Sequence, residues 1–258
     1  MIKLENVVLA SPEQMDFIIE GMRNPMNSWD RSDSYIGFDC TACGHVERDG
    51  ICKKGDPERE HCYEYYGFEL GNNDHDLMQR LADAGSVHRK YMRMMPVYVR
   101  ITAPLYWWKE FDTYKVGTVS NSCSTMHKIQ EKEFTLEDFS FENIPSTYNW
   151  FLNEGDLIAD LLYALNDART NYIETKNKKY WWQMIQLLPS SYNQTRNVMM
   201  NYEVLANIYQ WRKDHKLDEW REFCKWIEGL PYSELITGFS DKLDQVTGEN
   251  VSENHSLG

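Results

Sequence analysis

The chain has 258 residues, 42% hydrophobic and 14% aromatic, which is enough to bury a core in one large domain or two small ones. Its net charge of −13 argues against a broad basic face, so nucleic acid is not an expected partner and an anionic small molecule would need a local basic pocket. No apolar run reaches the roughly 18–20 residues of a membrane span, and the first apolar stretch is too short for a signal peptide, so the expected location is the cytoplasm.

Residues 2–10 read as a strand. A helix start follows: Ser11 as cap, Pro12 at the first position and Gln14 three residues after the cap. Met15, Ile18, Ile19 and Met22 then recur at helical spacing, and residues 24–37 read as a loop. Cys40, Cys43, Cys52 and Cys62 come next, with His45 and His61 among them. Cytoplasmic thiols stay reduced, so disulfides are not expected. A C-x2-C pair followed by two more soft ligands can hold a tetrahedral zinc, but nine residues separate Cys52 from Cys62 where a zinc ribbon has two. A structural zinc and reduced, buried thiols both stay open.

Asn73 or Asp74 can cap a helix running to Ala84, with Leu77, Leu81 and Ala84 inward and Gly85 closing it. Residues 86–93 form a basic turn around His88. Val97, Val99 and Ile101 alternate with Tyr98 and Arg100, the mark of a strand, and Pro104 opens a helix. Residues 134–145 are acidic and loop-like. Residues 156–176 and 180–188 read as helices, the second with Trp181, Ile185 and Leu188 on one side.

From 194 to 221 the pattern predicts one long helix, a break at 214–216 and the start of another. On the helical wheel Val198, Leu205, Ile208 and Tyr209 share a side with Asn201 and Arg212, while Asn207 lies opposite Asn201. A guanidinium on a buried face needs an anion or a dense set of acceptors. Glu203 and Asp214 are not three or four residues away on that face, so no local partner is evident. A distant carboxylate such as Glu110 or Asp160 remains open, as does a ligand. The tail from 240 is polar.

The run Asn201-x5-Asn207-x4-Arg212, followed by Glu219-Trp-Arg221-x-Phe223, resembles the C-terminal signature of flavin-dependent thymidylate synthases. Leu187-Leu-Pro189 is similar to the Leu-Pro that precedes it there. The resemblance covers roughly residues 74–235. It implies an α+β fold, a small sheet flanked by long helices, assembled as a homotetramer. Residues 1–235 would be a single domain with a Cys-rich insertion at 38–66, which the family does not supply, and 236–258 a flexible tail. The activity implied is methylation of dUMP to dTMP with FAD, methylenetetrahydrofolate and NADPH. Asn201 and Asn207 then contact the flavin and Arg212 the base and flavin.

The rest of the family pattern is altered. Thr113-Tyr114-Lys115 stand on its R-H-R, Thr118 on its Ser and Asn121 on its Glu, and Ser124 reaches its later Ser with a one-residue shift. Gly85 and His88 match the family's G-H only loosely, and Ile185 stands where a phosphate-binding Arg belongs. Tyr114 and Lys115 become cofactor candidates with His88. Lys115, Thr118, Asn121, Ser124, Arg212 and Arg221 become candidates for dUMP or another pyrimidine nucleotide. Lys is no equal replacement for Arg in a planar, bidentate grip. The rival reading is a divergent homologue that binds a nucleotide or flavin without this reaction, or acts as an interaction protein. The residues alone support a helix-rich α+β domain.

Overall fold

The computed structural model describes residues 2–38, 66–125, 127–144, 148–150, 153–155 and 157–238. In chain order the elements are β1 (Lys3–Leu9), α1 (Pro12–Arg23), β2 (Tyr35–Phe38), β3 (Tyr66–Glu69), α2 (Asn72–Asp83), β4 (Pro96–Pro104), α3 (Leu105–Phe111) and β5 (Val119–Ser122). They continue with β6 (Tyr148–Trp150), β7 (Asn153–Gly155), α4 (Leu157–Thr175), α5 (Lys178–Leu187), β8 (Asn193–Asn201), α6 (Tyr202–Arg212), α7 (Asp218–Glu228) and α8 (Glu234–Thr237). The class is α+β, as expected. Two compact units divide the chain: residues 1–7, 98–199 and 211–226 form one, and residues 8–97, 200–210 and 227–258 the other. Among the described residues no helix is long and apolar enough to cross a membrane.

The first unit is built on a four-stranded sheet in the order β1-β4-β8-β5. Val99, Ile101 and Ala103 of β4 are buried while Tyr98 and Arg100 are exposed, the alternation a half-covered strand requires. Strand β8 corrects the sequence reading, which placed residues 194–201 at the start of a long helix. Its residues pair antiparallel with β5, Val119 opposite Met199 and Asn121 opposite Asn197. β-branched Thr195 and Val198 favour extended backbone. The apparent wheel came from carrying the 3.6 period of α6 backward into residues whose buried positions, Val198 and Met200, alternate by two. Asn201 therefore shares no helical face with Arg212.

Two apolar clusters complete this unit. Trp107, Trp108 and Phe111 of α3 meet Trp220 and Phe223 of α7, all 1% exposed or less, with the Trp107 and Trp220 rings 4.7 Å apart. Leu165 and Ala168 of α4 and Met184 of α5 close around Ile129, Phe134 and Phe139. Ile185 packs against this second cluster.

In the second unit, α1 opens as the sequence predicts: Gln14 N donates to Ser11 Oγ at 3.2 Å and Ser11 N to Gln14 Oε1 at 2.9 Å, a reciprocal cap. The buried side of α1 is Met15, Ile18, Ile19 and Met22. The 24–37 stretch contains two 3₁₀ turns, Asn24–Met26 and Trp29–Arg31, before β2. Strands β2 and β3 pair antiparallel from Tyr35 opposite Glu69 to Phe38 opposite Tyr66.

The cap of α2 is not Asn73 or Asp74 but Gly71, and the helix receives its capping carboxylate from elsewhere. Asp33 accepts from Asn73 N at 2.9 Å and from Asp74 N at 3.1 Å. A Cβ on Gly71 would lie 2.1 Å from Asp33 Oδ1, so only glycine admits this approach. Asp74, fully buried, instead pairs with Arg23 Nε at 2.5 Å and accepts from the Ser32 and Ser34 hydroxyls at 2.7 Å. The inward side of α2 is Leu77, Met78 and Ala82; Ala84 is exposed.

Candidate functional site

Arg212 ends α6 and is the centre of a network in the first unit. Its Nη1 donates to Glu110 Oε2 at 2.7 Å and its Nε to the Tyr114 hydroxyl at 3.0 Å. The guanidinium lies 4.9 Å from the Trp220 ring, inside cation–π range. Glu110 is held in turn: Trp220 Nε1 donates to the same Oε2 at 3.0 Å, and His215 Nε2 stands 3.5 Å from it. Leu217 N donates to His215 Nδ1, which leaves the neutral ring's proton on Nε2, facing Glu110. Arg221 reaches the network through its bond to the His215 carbonyl at 3.0 Å and also pairs with Asp218. No partner is found for Arg212 Nη2 among the described residues.

Three predicted residues are thus joined: Arg212, Tyr114 and Arg221. Tyr114 stands on the altered R-H-R triplet and supplies a hydroxyl where an imidazole would be. Lys115 beside it is exposed. Thr118 Oγ1 is buried without a hydrogen-bond partner among the described residues. Asn121 is exposed on β5 and lines a polar hollow of about 580 Å³ with Arg100, Thr102, Thr195 and Asn197. Ser124 Oγ accepts from His127 N at 2.9 Å and closes a local turn. Sequence reasoning did not assign a role to Trp220 or His215, and it named Glu110 only as one of two distant carboxylates; no spacing rule links partners 102 residues apart.

Asn201, Asn207 and His88 belong to the second unit. Asn201 ends β8, 8% exposed, and its Oδ1 accepts from Val204 N at 3.0 Å, which caps α6. Its Nδ2 has no partner among the described residues. Asn207 is exposed on α6. His88 is exposed in the basic turn, whose neighbouring Arg89 pairs with Glu203 at 3.1 Å. Cys40, Cys43, Cys52 and Cys62 lie outside the described residues. Among those described, no group of three or more His, Cys, Asp or Glu is placed to hold a metal.

No family model matches the chain, and no curated protein matches it in sequence. Solved structures do. Thymidylate synthase X from Helicobacter pylori, solved with FAD and dUMP, is 17% identical at a TM-score of 0.55, over 94% of this chain and 99% of that one. A second structure of the Helicobacter pylori enzyme with FAD and dUMP gives 0.54 and 17%, over 93% and 98%. A UMP/dUMP methylase from Streptomyces cacaoi stands at 0.49 and 10%. At these identities the likeness is one of fold: the chain is similar in fold to thymidylate synthase X.

Proposed function

We propose that the chain binds FAD and a pyrimidine nucleotide and methylates dUMP to dTMP, with methylenetetrahydrofolate as one-carbon donor and NADPH as reductant. The observation that carries this reading is Arg212. Its side chain is 19% exposed, its guanidinium is fixed by Glu110 and Tyr114 and lies over the Trp220 ring, and its Nη2 is unused among the described residues. A donor held in advance is what stabilises charge that develops on a pyrimidine carbonyl, because no reorganisation is needed as the charge appears. The flavin, when bound, supplies passage of reducing equivalents from the nicotinamide to the transferred carbon.

The residues in hand fit such a ring at one clear point. Asn201 uses Oδ1 for its helix cap and keeps Nδ2 for an acceptor, so a flavin carbonyl or ring nitrogen takes that bond. Asn207, on the exposed side of α6, reaches a flavin held with another subunit, which is why homotetrameric assembly belongs to this reading. The resemblance gives phosphate to Lys115, Thr118 and Ser124; Lys115 is exposed, whereas the Thr118 hydroxyl has almost no accessible surface and Ser124 Oγ already accepts from His127 N.

A second reading, a homologue that binds nucleotide or flavin without methylating, is favoured by this thin phosphate grip: Thr113-Tyr114-Lys115 replaces the three-residue cationic triplet, and Ile185 is committed to an apolar cluster. The deciding experiment is an absorbance spectrum of purified protein followed by an assay for dTMP from dUMP, methylenetetrahydrofolate and NADPH. Bound flavin with dTMP formation supports the synthase. Bound flavin without product selects the second reading, and the absence of flavin binding overturns both.

A further inference from the structure

The corner between α4 and α5 carries a second chemical cluster, within the first unit and sharing no residue with the Arg212 network. Arg169 donates to the carbonyls of Gln130 at 2.9 Å and Glu131 at 3.4 Å, which straps this loop to α4. Gln130 Nε2 donates to the His127 carbonyl at 3.1 Å and so fixes its amide. The other end of that amide, Oε1, is buried and has no hydrogen-bond partner among the described residues.

Opposite this loop the chain leaves α4 through Lys176, whose φ of 54° is left-handed. Its amide still bonds Tyr172 O at 2.9 Å. Lys178 then opens α5. His127, Gln130, Tyr172, Lys176, Lys178 and Trp181 together line a hollow of about 390 Å³, within the range of small-molecule sites. Two lysines and a histidine line it beside two aromatic residues, in a chain whose net charge is −13, and Lys178 Nζ lies 6.0 Å from the ring of neighbouring Trp182. The nearby carboxylate of Glu131 is already paired with Lys128.

We propose that this hollow binds a phosphate monoester carrying a flat ring. Lys176 and Lys178 hold the phosphate as point charges, and Tyr172 and Trp181 take the ring. Neither a bare anion nor an uncharged ring satisfies both sets of groups.

Calorimetric titration tests this with phenyl phosphate as probe, inorganic phosphate and phenol as the two partial probes, and the Arg212→Ala variant as control. Phenyl phosphate is expected to bind the wild type and Arg212→Ala alike, more tightly than either partial probe, and less tightly as salt is raised. The double variant Lys176→Gly, Lys178→Ala keeps the left-handed corner without strain and is expected to weaken binding by about tenfold or more. No heat from phenyl phosphate at millimolar concentration, an unchanged affinity in the lysine variant, or loss of binding in Arg212→Ala each overturns the proposal. Inorganic phosphate binding as tightly as phenyl phosphate removes the role given to Tyr172 and Trp181 and overturns it as well.

Discussion

Arg212 Nη1 and Glu110 Oε2 stand 2.7 Å apart, and Trp220 Nε1 donates to that same oxygen. Arg212 therefore has a structural partner that its own helix does not provide, and its removal should be felt in the ligand-free protein. Glu110 keeps the Trp220 bond when Arg212 is gone, so its carboxylate is not abandoned. Arg212→Ala is expected to cost about 1–3 kcal/mol, a few degrees of melting temperature. Turnover of dUMP is expected to fall about 10²-fold or more through loss of charge stabilisation. Thermal melts with and without dUMP, beside initial rates, check both parts. A large drop in stability with unchanged nucleotide binding and rate would make the residue purely structural.

Asn201 allows cap and ligand roles to be separated. Asn201→Ser keeps an oxygen for Val204 N but loses the amide donor, whereas Asn201→Ala loses both. The Ser variant is expected to fold with a loss below about 1 kcal/mol, the Ala variant with a loss of about 1–2 kcal/mol. Both should weaken FAD, whose wild-type affinity is expected to be micromolar or better, about −8 kcal/mol. Quenching of flavin fluorescence reads the affinity; equal quenching by wild type and both variants would leave Asn201 with the cap alone.

Asp74 predicts an acid limb. Burial pushes its carboxyl pKa up, but hydrogen bonds from Ser34, Ser32 and Arg23 outweigh it, and the net shift is downward. A lowered carboxylate pKa contributes stability that is complete above its unfolded value, near 3.9, and is lost as pH falls through the lower folded value. Wild-type stability is expected to decline below about pH 5, and Asp74→Asn to flatten that part of the decline. Asp74→Ala strands the buried Arg23 guanidinium and is expected to cost about 3–5 kcal/mol at neutral pH. Urea midpoints across pH 3–7 measure the slopes, and parallel curves for wild type and Asp74→Asn would contradict the assignment.

Cys40, Cys43, Cys52 and Cys62 predict one zinc per chain in protein purified without chelator. Elemental analysis should find it, and Cys40→Ser should lose the metal together with stability. Metal-free protein of unchanged stability would assign these thiols to the reduced, unligated alternative.

What was legible in the sequence is what short separations enforce. The Ser11–Gln14 cap, the stripe of α1 and the alternation of β4 each need only a few residues of context, and each stands in the fold. Strand β8 was hidden because its reason lies in its neighbours: β4 and β5 flank it in the sheet but lie far from it along the chain. The cap of α2 was hidden in the same way, since Asp33 reaches it across 40 residues. Arg212 was legible as a charge in need of a partner, but choosing Glu110 over Asp160 required the fold. Thr118, Asn121 and Ser124 were placed by motif position alone, and they do not converge on Arg212 through any hydrogen bond among the described residues.

The pairing of Phe38 with Tyr66 brings together the two ends of the stretch from 39 to 65. Whatever that stretch does, the chain enters and leaves it through one doorway, framed by four residue pairs and braced by Asp33 against Gly71. A two-residue Asn-Gly turn can bridge the same strand ends without rewriting either strand. Exchanging the stretch for cysteine-free loops of graded length separates two contributions: the slowly growing cost of loop closure, about 0.6 kcal/mol per doubling, and the stability that zinc at Cys40, Cys43, Cys52 and Cys62 adds.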